Sequence, residues 1–262
     1  PMVVRREKTN YVIQSVAHAL DVLEQFTGEA DELGVTELSK RLKLHKNNIF
    51  RLLATLESRG YIEQNKATEN YRLGVRSLQL GQAYVGRMGL IRQARPIMEA
   101  LVKQCRESAY VAVSRRGGMV PLNSVDADQP IRLVSNIGES LPLHCTAVGK
   151  AHLAFESSED ELKARLPEGL KKYTSSTITE RQALLQQLHT VIEKGYSIDS
   201  GEHVEDVRSI AVPIKDYTRQ VVGTLAVSGP AYRMSTERIQ KEMAPLVVKA
   251  GKELSSRLGY NE

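Results

Sequence analysis

The residues best suited to chemistry fall in two short segments. The first, LPLHCTAVGKAHLA over residues 141–154, holds His144, Cys145 and Lys150. A thiol next to an imidazole suggests a nucleophile and its base, but adjacent side chains on an extended chain point to opposite faces. The only other cysteine, Cys105, offers neither a disulfide framework nor a cysteine-based zinc site. The remaining reading is a packed turn feeding a helix that starts near Thr146. The first N–H groups of such a helix, around Val148 and Gly149, form an anion site, so a carboxylate can bind there without enzyme chemistry.

The second segment, GYSIDSGEHVEDVRSIAVP over residues 195–213, carries Asp199, Glu202, His203, Glu205 and Asp206. Grouped carboxylates suit acid–base work or calcium, although such a run is expected to be a solvated loop. One carboxylate facing a pocket would accept a ligand hydroxyl or ammonium. Ser228, ending the apolar run GTLAVSG, is a lone hydroxyl that can simply bond to backbone. The chain has no Walker A loop and no GxGxxG turn, and no cofactor or metal is expected.

Charge says where a polyanion would bind. The net +5 is unevenly placed: residues 38–60 alone carry Lys40, Arg41, Lys43, Lys46, Arg51 and Arg59 against Glu57, while residues 76–120 are net +6 and residues 121–262 net −2. A local basic island suggests a nucleic-acid face, unless it is a solvated helix surface. No run approaches the roughly 18 apolar residues of a membrane helix, and the first ten residues lack the apolar run of a secretory signal. A cytoplasmic protein with no membrane partner is the expectation.

The elements around the island have a recognisable order. Val16, Ala19, Leu20, Leu23 and Phe26 share one helical face, with Ser15 as cap and Gly28 as stop. VTELSKRLKL forms a short helix capped by Thr36, and Ile49, Leu52, Leu53 and Leu56 mark a third that Gly60 ends. YIEQ and NYRL, around NKATE, read as a hairpin. Helix, short helix, turn, helix, hairpin is a winged helix-turn-helix. Leu38 and Leu42 packed on Leu52 and Leu56 leave Lys46, Asn47, Asn48, Arg51 and Thr55 free for the DNA major groove, with Lys66 or Arg72 on the hairpin touching backbone. A winged helix that contacts protein instead stays open as an alternative.

Residues 74–107 read as helical, broken at Pro96, and Leu78, Leu80, Tyr84, Val85 and Met88 make the first part too apolar for a lone connector. Beyond residue 108, YVAVS and MVPLNSV flank a hairpin turn in which Gly117 and Gly118 accept positive φ, and IRLVSNIG adds a strand. SIAVPI and QVVGTLAVSG make a second hairpin, with helices in TAVGKAHLAF, SSEDELKARL, TITERQALLQQLHTVIEKG (capping box Thr179 and Gln182) and a final helix bent at Pro245. Strand pairs mixed with helices give an α+β sheet domain.

Four blocks in this order, GVTELSKRLKLHKNNIFRLLATLESRGYI, LPLHCTAVGKAHLA, GYSIDSGEHVEDVRSIAVPI and VVGTLAVSGPAYRMS, resemble the IclR-type transcriptional regulators over about residues 12–260. The resemblance implies a winged helix-turn-helix (11–73), a linker helix (74–92) and a GAF-like α/β effector-binding domain (93–260). It implies homodimers or homotetramers on operator DNA, a small organic-acid effector from carbon catabolism, and no enzyme activity. Carried over residue by residue, the family's pocket falls on Ile131, Val134, Val148, Gly149, Asp199, Ser209, Ala226 and Ser228. Ser209 stands where the family commonly has cysteine, and Ala226 where members binding the smallest keto acids have serine; a bulkier or less oxygen-rich acid follows from that resemblance. In the reading helix Asn47 and Asn48 replace the usual Ser-Thr, and His45 the usual proline. A Cys145/His144 hydrolase or transferase is the rival from another class.

Overall fold

The computed structural model describes residues 12–27, 30–87, 89–156 and 158–260, with backbone alone at 82, 84–87, 159, 164 and 165. Two compact units, residues 1–87 and 88–262, divide the chain.

In the first unit α1 spans Gln14–Glu24 and closes with a tight 3-10 turn over Gln25–Thr27. The helix begins after Ile13, so Ser15 sits in its first turn and does not cap it; Gly28 lies outside the described residues. Helix α2 (Val35–Leu42) likewise starts one residue before Thr36, capped by the backbone of Gly34. A Cβ at Gly34 would lie 2.7 Å from Asn70 Oδ1, so the approach of the hairpin puts a glycine at the cap. Helix α3 runs Lys46–Ser58, and Gly60 ends it at φ +74 with its N–H donated to Glu57 O.

Strands β1 (Ile62–Gln64) and β2 (Tyr71–Leu73) pair antiparallel with Ile62 opposite Leu73. Val22, Phe26, Leu33, Leu38, Ile49, Leu53, Leu56, Ile62 and Tyr71 form the core, with Leu42 and Leu52 packed at its margin. Each such side chain, fully buried, contributes about 1.5–3 kcal/mol. Helix α4 (Val75–Arg87) is tied to the wing by Arg76 N–H to Gly60 O and Ser77 Oγ to Tyr61 O.

The second unit opens with α5, Gly89–Cys105, which runs through Pro96 as one helix. Proline there removes a single hydrogen bond, and burial of Ala94, Ile97, Met98 and Leu101 along one face holds the helix on either side. The expected break at Pro96 is therefore absent.

Among the described residues five strands make an antiparallel sheet ordered β4-β3-β7-β6-β5: β3 Ser108–Arg115, β4 Gly118–Val125, β5 Ser197–Ser200, β6 Val207–Lys215 and β7 Val221–Pro230. The β3–β4 turn takes positive φ at Arg116 (48°) and Gly117 (85°), whereas Gly118 already pairs with Arg115. Gly118 is there for space, since a Cβ would strike Ser140 Oγ.

Helix α6 (Ala147–Glu156) packs on one face, against Ala211 and Ala226, while α10 (Ala244–Arg257) meets Val212 on the other, as strand alternation requires. Between them run α7 (Glu159–Arg165), whose capping box joins Ser158 and Glu161, and α8 (Arg181–Lys194). Thr179 and Gln182 form no such box: Thr179 O accepts Leu170 N–H, and Glu180 bridges to Gly169, which fixes both as extended backbone ahead of α8. The last helix starts as a short α9 (Thr236–Arg238) and widens into a π turn over Ile239–Met243 before α10. The widened turn lies just ahead of Pro245, where the ladder loses a donor.

IRLVSNIG forms no strand. Residues 131–140 cross the unit as irregular chain, fixed by Arg233 Nη2 donating to Ile131 O, Gly138 N–H to Pro121 O and the Met119–Leu141 bridge. Its apolar side chains Ile131, Val134 and Ile137 are exposed, leaving nothing to hold it on the sheet.

Candidate functional site

Two features stand out, one in each unit. On α3, burial of Ile49, Leu53 and Leu56 leaves Lys46, Asn47, Asn48, Arg51 and Thr55 exposed along the opposite side. Thr55 Oγ1 donates to Arg51 O at 2.8 Å, so the hydroxyl is bonded within the helix. On the hairpin Lys66 is exposed in the turn, and Arg72 pairs with its cross-strand partner Glu63 at 2.7 Å. Phe50, 58% exposed in the midst of this face, went unremarked in the sequence reading because it sits one residue from the apolar stripe.

In the second unit a cavity of about 380 Å³ opens over the sheet beside α6. Its lining includes Tyr110, Val134, Asn136, Glu139, Thr146, Ala147, Asp199, His203, Ser209 and Ser228. Sheet register assembles the floor: Asp199 is opposite Ser209, and Ser209 opposite Ser228. Ser209 Oγ and Ser228 Oγ lie 2.7 Å apart, and Tyr110 lines the same cavity. Burial, reinforced by the charge of Asp199, pushes the Tyr110 phenol up to about 12.

Asp199 is 4% exposed, so the expected solvated loop is wrong for this residue and for Glu202. Its Oδ1 accepts the Glu202 N–H at 2.7 Å. Burial, and then the nearby Glu202 charge, raises its carboxyl from 3.8 to about 6 against the pull of backbone donors and Lys150. Lys150 Nζ meets Glu202 Oε1 at 2.5 Å, with the lysine fully buried. His203 packs edge-on against Tyr173, and burial lowers its pKa.

Of the eight expected pocket residues, Val134, Asp199, Ser209 and Ser228 line the cavity. Ile131 does not: it is 63% exposed, with its carbonyl held by Arg233. Val148 and Ala226 lie in the apolar cluster between α6 and the sheet, alongside the polar floor. Gly149 is buried against the backbone of Leu143, where a Cβ would collide, and its N–H is donated to Thr146 Oγ1 at 3.1 Å. The Gly149 N–H, expected to face an anion, is therefore already bonded. Thr146 caps the helix, leaving Ala147 and Val148 N–H as donors with no partner inside it. Tyr110, Asn136 and Glu139 were missed because their approach depends on tertiary folding, whereas His203 was already named in the carboxylate-rich segment. A pocket-facing Tyr110 was hidden in the uniformly apolar run of β3.

His144 and Cys145 make no catalytic pair. His144 Nε2 bonds Lys171 O at 2.8 Å, and Cys145 is fully buried, its thiol pushed up to about 12 by desolvation and by Asp199. A thiol so far from ionisation is a poor nucleophile. Among the described residues no group of three or more His, Cys, Asp or Glu could hold a metal, and no helix is long and apolar enough to cross a membrane.

A basic helix-turn-helix in one unit and a ligand-sized cavity in the other define a DNA-binding regulator with a small-molecule effector domain. The comparisons agree with that class. The IclR helix-turn-helix domain matches residues 15–66, and the bacterial transcriptional regulator IclR C-terminal domain matches residues 82–256. The chain belongs to the IclR family of transcriptional regulators, which are not enzymes.

The HTH-type transcriptional regulator KdgR of Escherichia coli strain K12 is 36% identical over 252 residues, covering 95% of this chain and 94% of that protein. The solved structure of a transcriptional regulator from Rhodococcus sp. RHA1 superposes with a TM-score of 0.84 at 26% identity, covering 95% of this chain and 99% of that one. An IclR homologue from Microbacterium hydrocarbonoxydans, solved with 4-hydroxybenzoate, shares the fold at 23% identity and a TM-score of 0.79, over 94% and 99% of the two chains.

Proposed function

We propose that this regulator controls catabolic genes in the cytoplasm, binding a hydroxylated small organic acid in the cavity beside α6. The observation that carries the reading is the cavity's polar floor. It sets a carboxylate, Asp199, and the hydroxyls of Ser209, Ser228 and Tyr110 beside Thr146 and Ala147 at the start of α6, whose first N–H groups lack partners within the helix. The N–H groups suit a ligand carboxylate, and Asp199 suits a ligand hydroxyl. Among the described residues the lining includes no Lys or Arg, so an acid with nothing to donate to Asp199 would meet repulsion. The 4-hydroxybenzoate held by the Microbacterium homologue has a carboxylate and a hydroxyl at opposite ends.

Residues 11–73 read operator DNA through Lys46, Asn47, Asn48, Arg51 and Thr55, with Lys66 on the wing. Arg72, paired to Glu63, makes only a weak phosphate contact. The linker helix (74–92) joins two copies, and residues 93–260 form the GAF-like sensor. Ile13, Val16 and Leu20 near and along α1, and Val75, Leu78 and Leu80 on α4, are exposed, which supports a dimer; Tyr84, Val85 and Met88 have side chains outside the described residues. Ligand binding shifts the population between operator-competent and incompetent dimers.

A thermal-shift screen of carboxylic and hydroxycarboxylic acids on the full chain tests this, because a ligand binding only the folded state raises its stability. Hits should vanish in Asp199→Ala and Ser228→Ala, with unliganded DNA binding intact and dependent on Arg51. A second cavity, of about 500 Å³, lies on the α10 side with Lys215 and Lys252 in its lining. Hits that survive both variants but vanish in Lys215→Ala would place the effector there and refute the assignment.

A further inference from the structure

An apolar side chain as large as Phe50 has no structural reason to face water on α3. The buried stripe of that helix is complete with Ile49, Leu53 and Leu56, and Phe50 remains 58% exposed. Its helical neighbours are Lys46 and Asn47 a turn before, Arg51 beside it and Ala54 a turn after, all exposed. No carboxylate occurs between Lys46 and Thr55. A surface that mixes one aromatic ring with amide and basic donors, and no acceptor charge, is complementary to a polyanion that also offers apolar groups.

Double-stranded DNA fits that description. In the major groove thymine presents a C5-methyl, the natural contact for Phe or Ala, while Asn pairs with adenine and Arg with guanine or phosphate. From the family's DNA-binding role, with α3 as the helix that enters the groove, we infer that Phe50, backed by Ala54, reads thymine methyl groups in the operator. Phe50 follows Asn47 by three residues, about 4.5 Å along the axis. That rise lies between one and two base steps of about 3.4 Å. An adenine read by Asn47 and a thymine read by Phe50 then fall on neighbouring or next-but-one pairs, and each half-site should contain such a short A·T element. Arg51 holds the register and Phe50 contributes discrimination.

The test uses a duplex enriched from a random library by the full-length chain, with 2′-deoxyuridine replacing thymidine at one half-site position at a time. Deoxyuridine removes only the methyl. At one or two positions the wild-type chain should lose about fourfold in affinity, the worth of one buried methyl. Phe50→Ala should bind the parent duplex more weakly and be indifferent to deoxyuridine at those same positions, whereas Arg51→Ala should bind weakly yet keep the sensitivity. The inference is overturned if wild-type binding ignores every replacement, or if Phe50→Ala retains the wild-type sensitivity. It is equally overturned if Phe50→Ala selects and binds the same DNA as wild type while losing only a protein partner. Failure of the underlying reading looks different: no duplex would be enriched, or the enriched duplex would bind Arg51→Ala and wild type alike with no dependence on salt.

Discussion

Lys150→Met is the most demanding perturbation of the sensor unit. In the folded chain Lys150 Nζ and Glu202 Oε1 are 2.5 Å apart, with side-chain exposures of 0% and 6%. Glu202 Oε2 is buried with no hydrogen-bond partner of its own, so the lysine supplies nearly all that offsets the carboxylate's desolvation. Methionine fills similar volume without the charge, which isolates the electrostatic loss from a cavity. Removing one partner of a buried pair costs about 3–5 kcal/mol, a large share of a typical total of about 5–15 kcal/mol. For a unit of this size that corresponds to a fall in Tm of about 10 °C.

Scanning calorimetry of the full chain suits the measurement, since the two units can melt separately and there is no tryptophan to follow by fluorescence. The double variant Lys150→Met/Glu202→Leu should recover most of the loss, because replacing both charges by apolar groups is often close to neutral. The single variant should also lose ligand response, since the Glu202 N–H holds Asp199 Oδ1. A single variant melting within about 2 °C of wild type, or a double variant no better than the single, would refute the reasoning.

Two further outcomes are expected. The carboxyl of Asp199 is raised from 3.8 to about 6 in the folded chain, so between those values the folded state holds the proton that the unfolded state has released. Stability from this group is present below about pH 4 and lost as pH rises through about 6, by up to about 3 kcal/mol. Urea midpoints of Asp199→Asn should lack this fall, and a wild-type profile parallel to the variant's would contradict it. Gly149→Ala should cost about 1–3 kcal/mol through overpacking, because its Cβ would run into the Leu143 backbone; an unchanged melting temperature would show that the helix start can yield.

The reading unit was legible because its signals are local. Ile49, Leu53 and Leu56 at helical spacing, Gly60 at the helix end and the polar link between YIEQ and NYRL each act within a few residues, and the structure keeps them. The sensor unit was legible as α+β and as two hairpins, but its cavity depends on contacts far apart in sequence. Lys150 and Glu202 are 52 residues apart, and only the fold brings them together. Strand β5 hid in a polar four-residue run whose alternate residues, Ser197 and Asp199, are the buried ones. IRLVSNIG misled in the opposite sense: its apolar residues Ile131, Val134 and Ile137 stay exposed, so burial does not hold it as a strand although β4 is an open edge.

Beside Tyr110, the hydroxyls of Ser228 and Ser209 form a short row in which either serine can be the donor. Such a row has no fixed direction. All its protons can turn together, so that its free end offers a hydrogen to a ligand carbonyl or a lone pair to a ligand hydroxyl, with no heavier atom moving. This wall of the cavity is therefore indifferent to whether a ligand carries a ketone or an alcohol there. Asp199 cannot reverse in that way once ionised, above about pH 6, and it is the group that tells oxidised from reduced. For the acid proposed above, the oxidation level of the carbon facing Asp199, more than chain length, should separate an effector from an inert analogue.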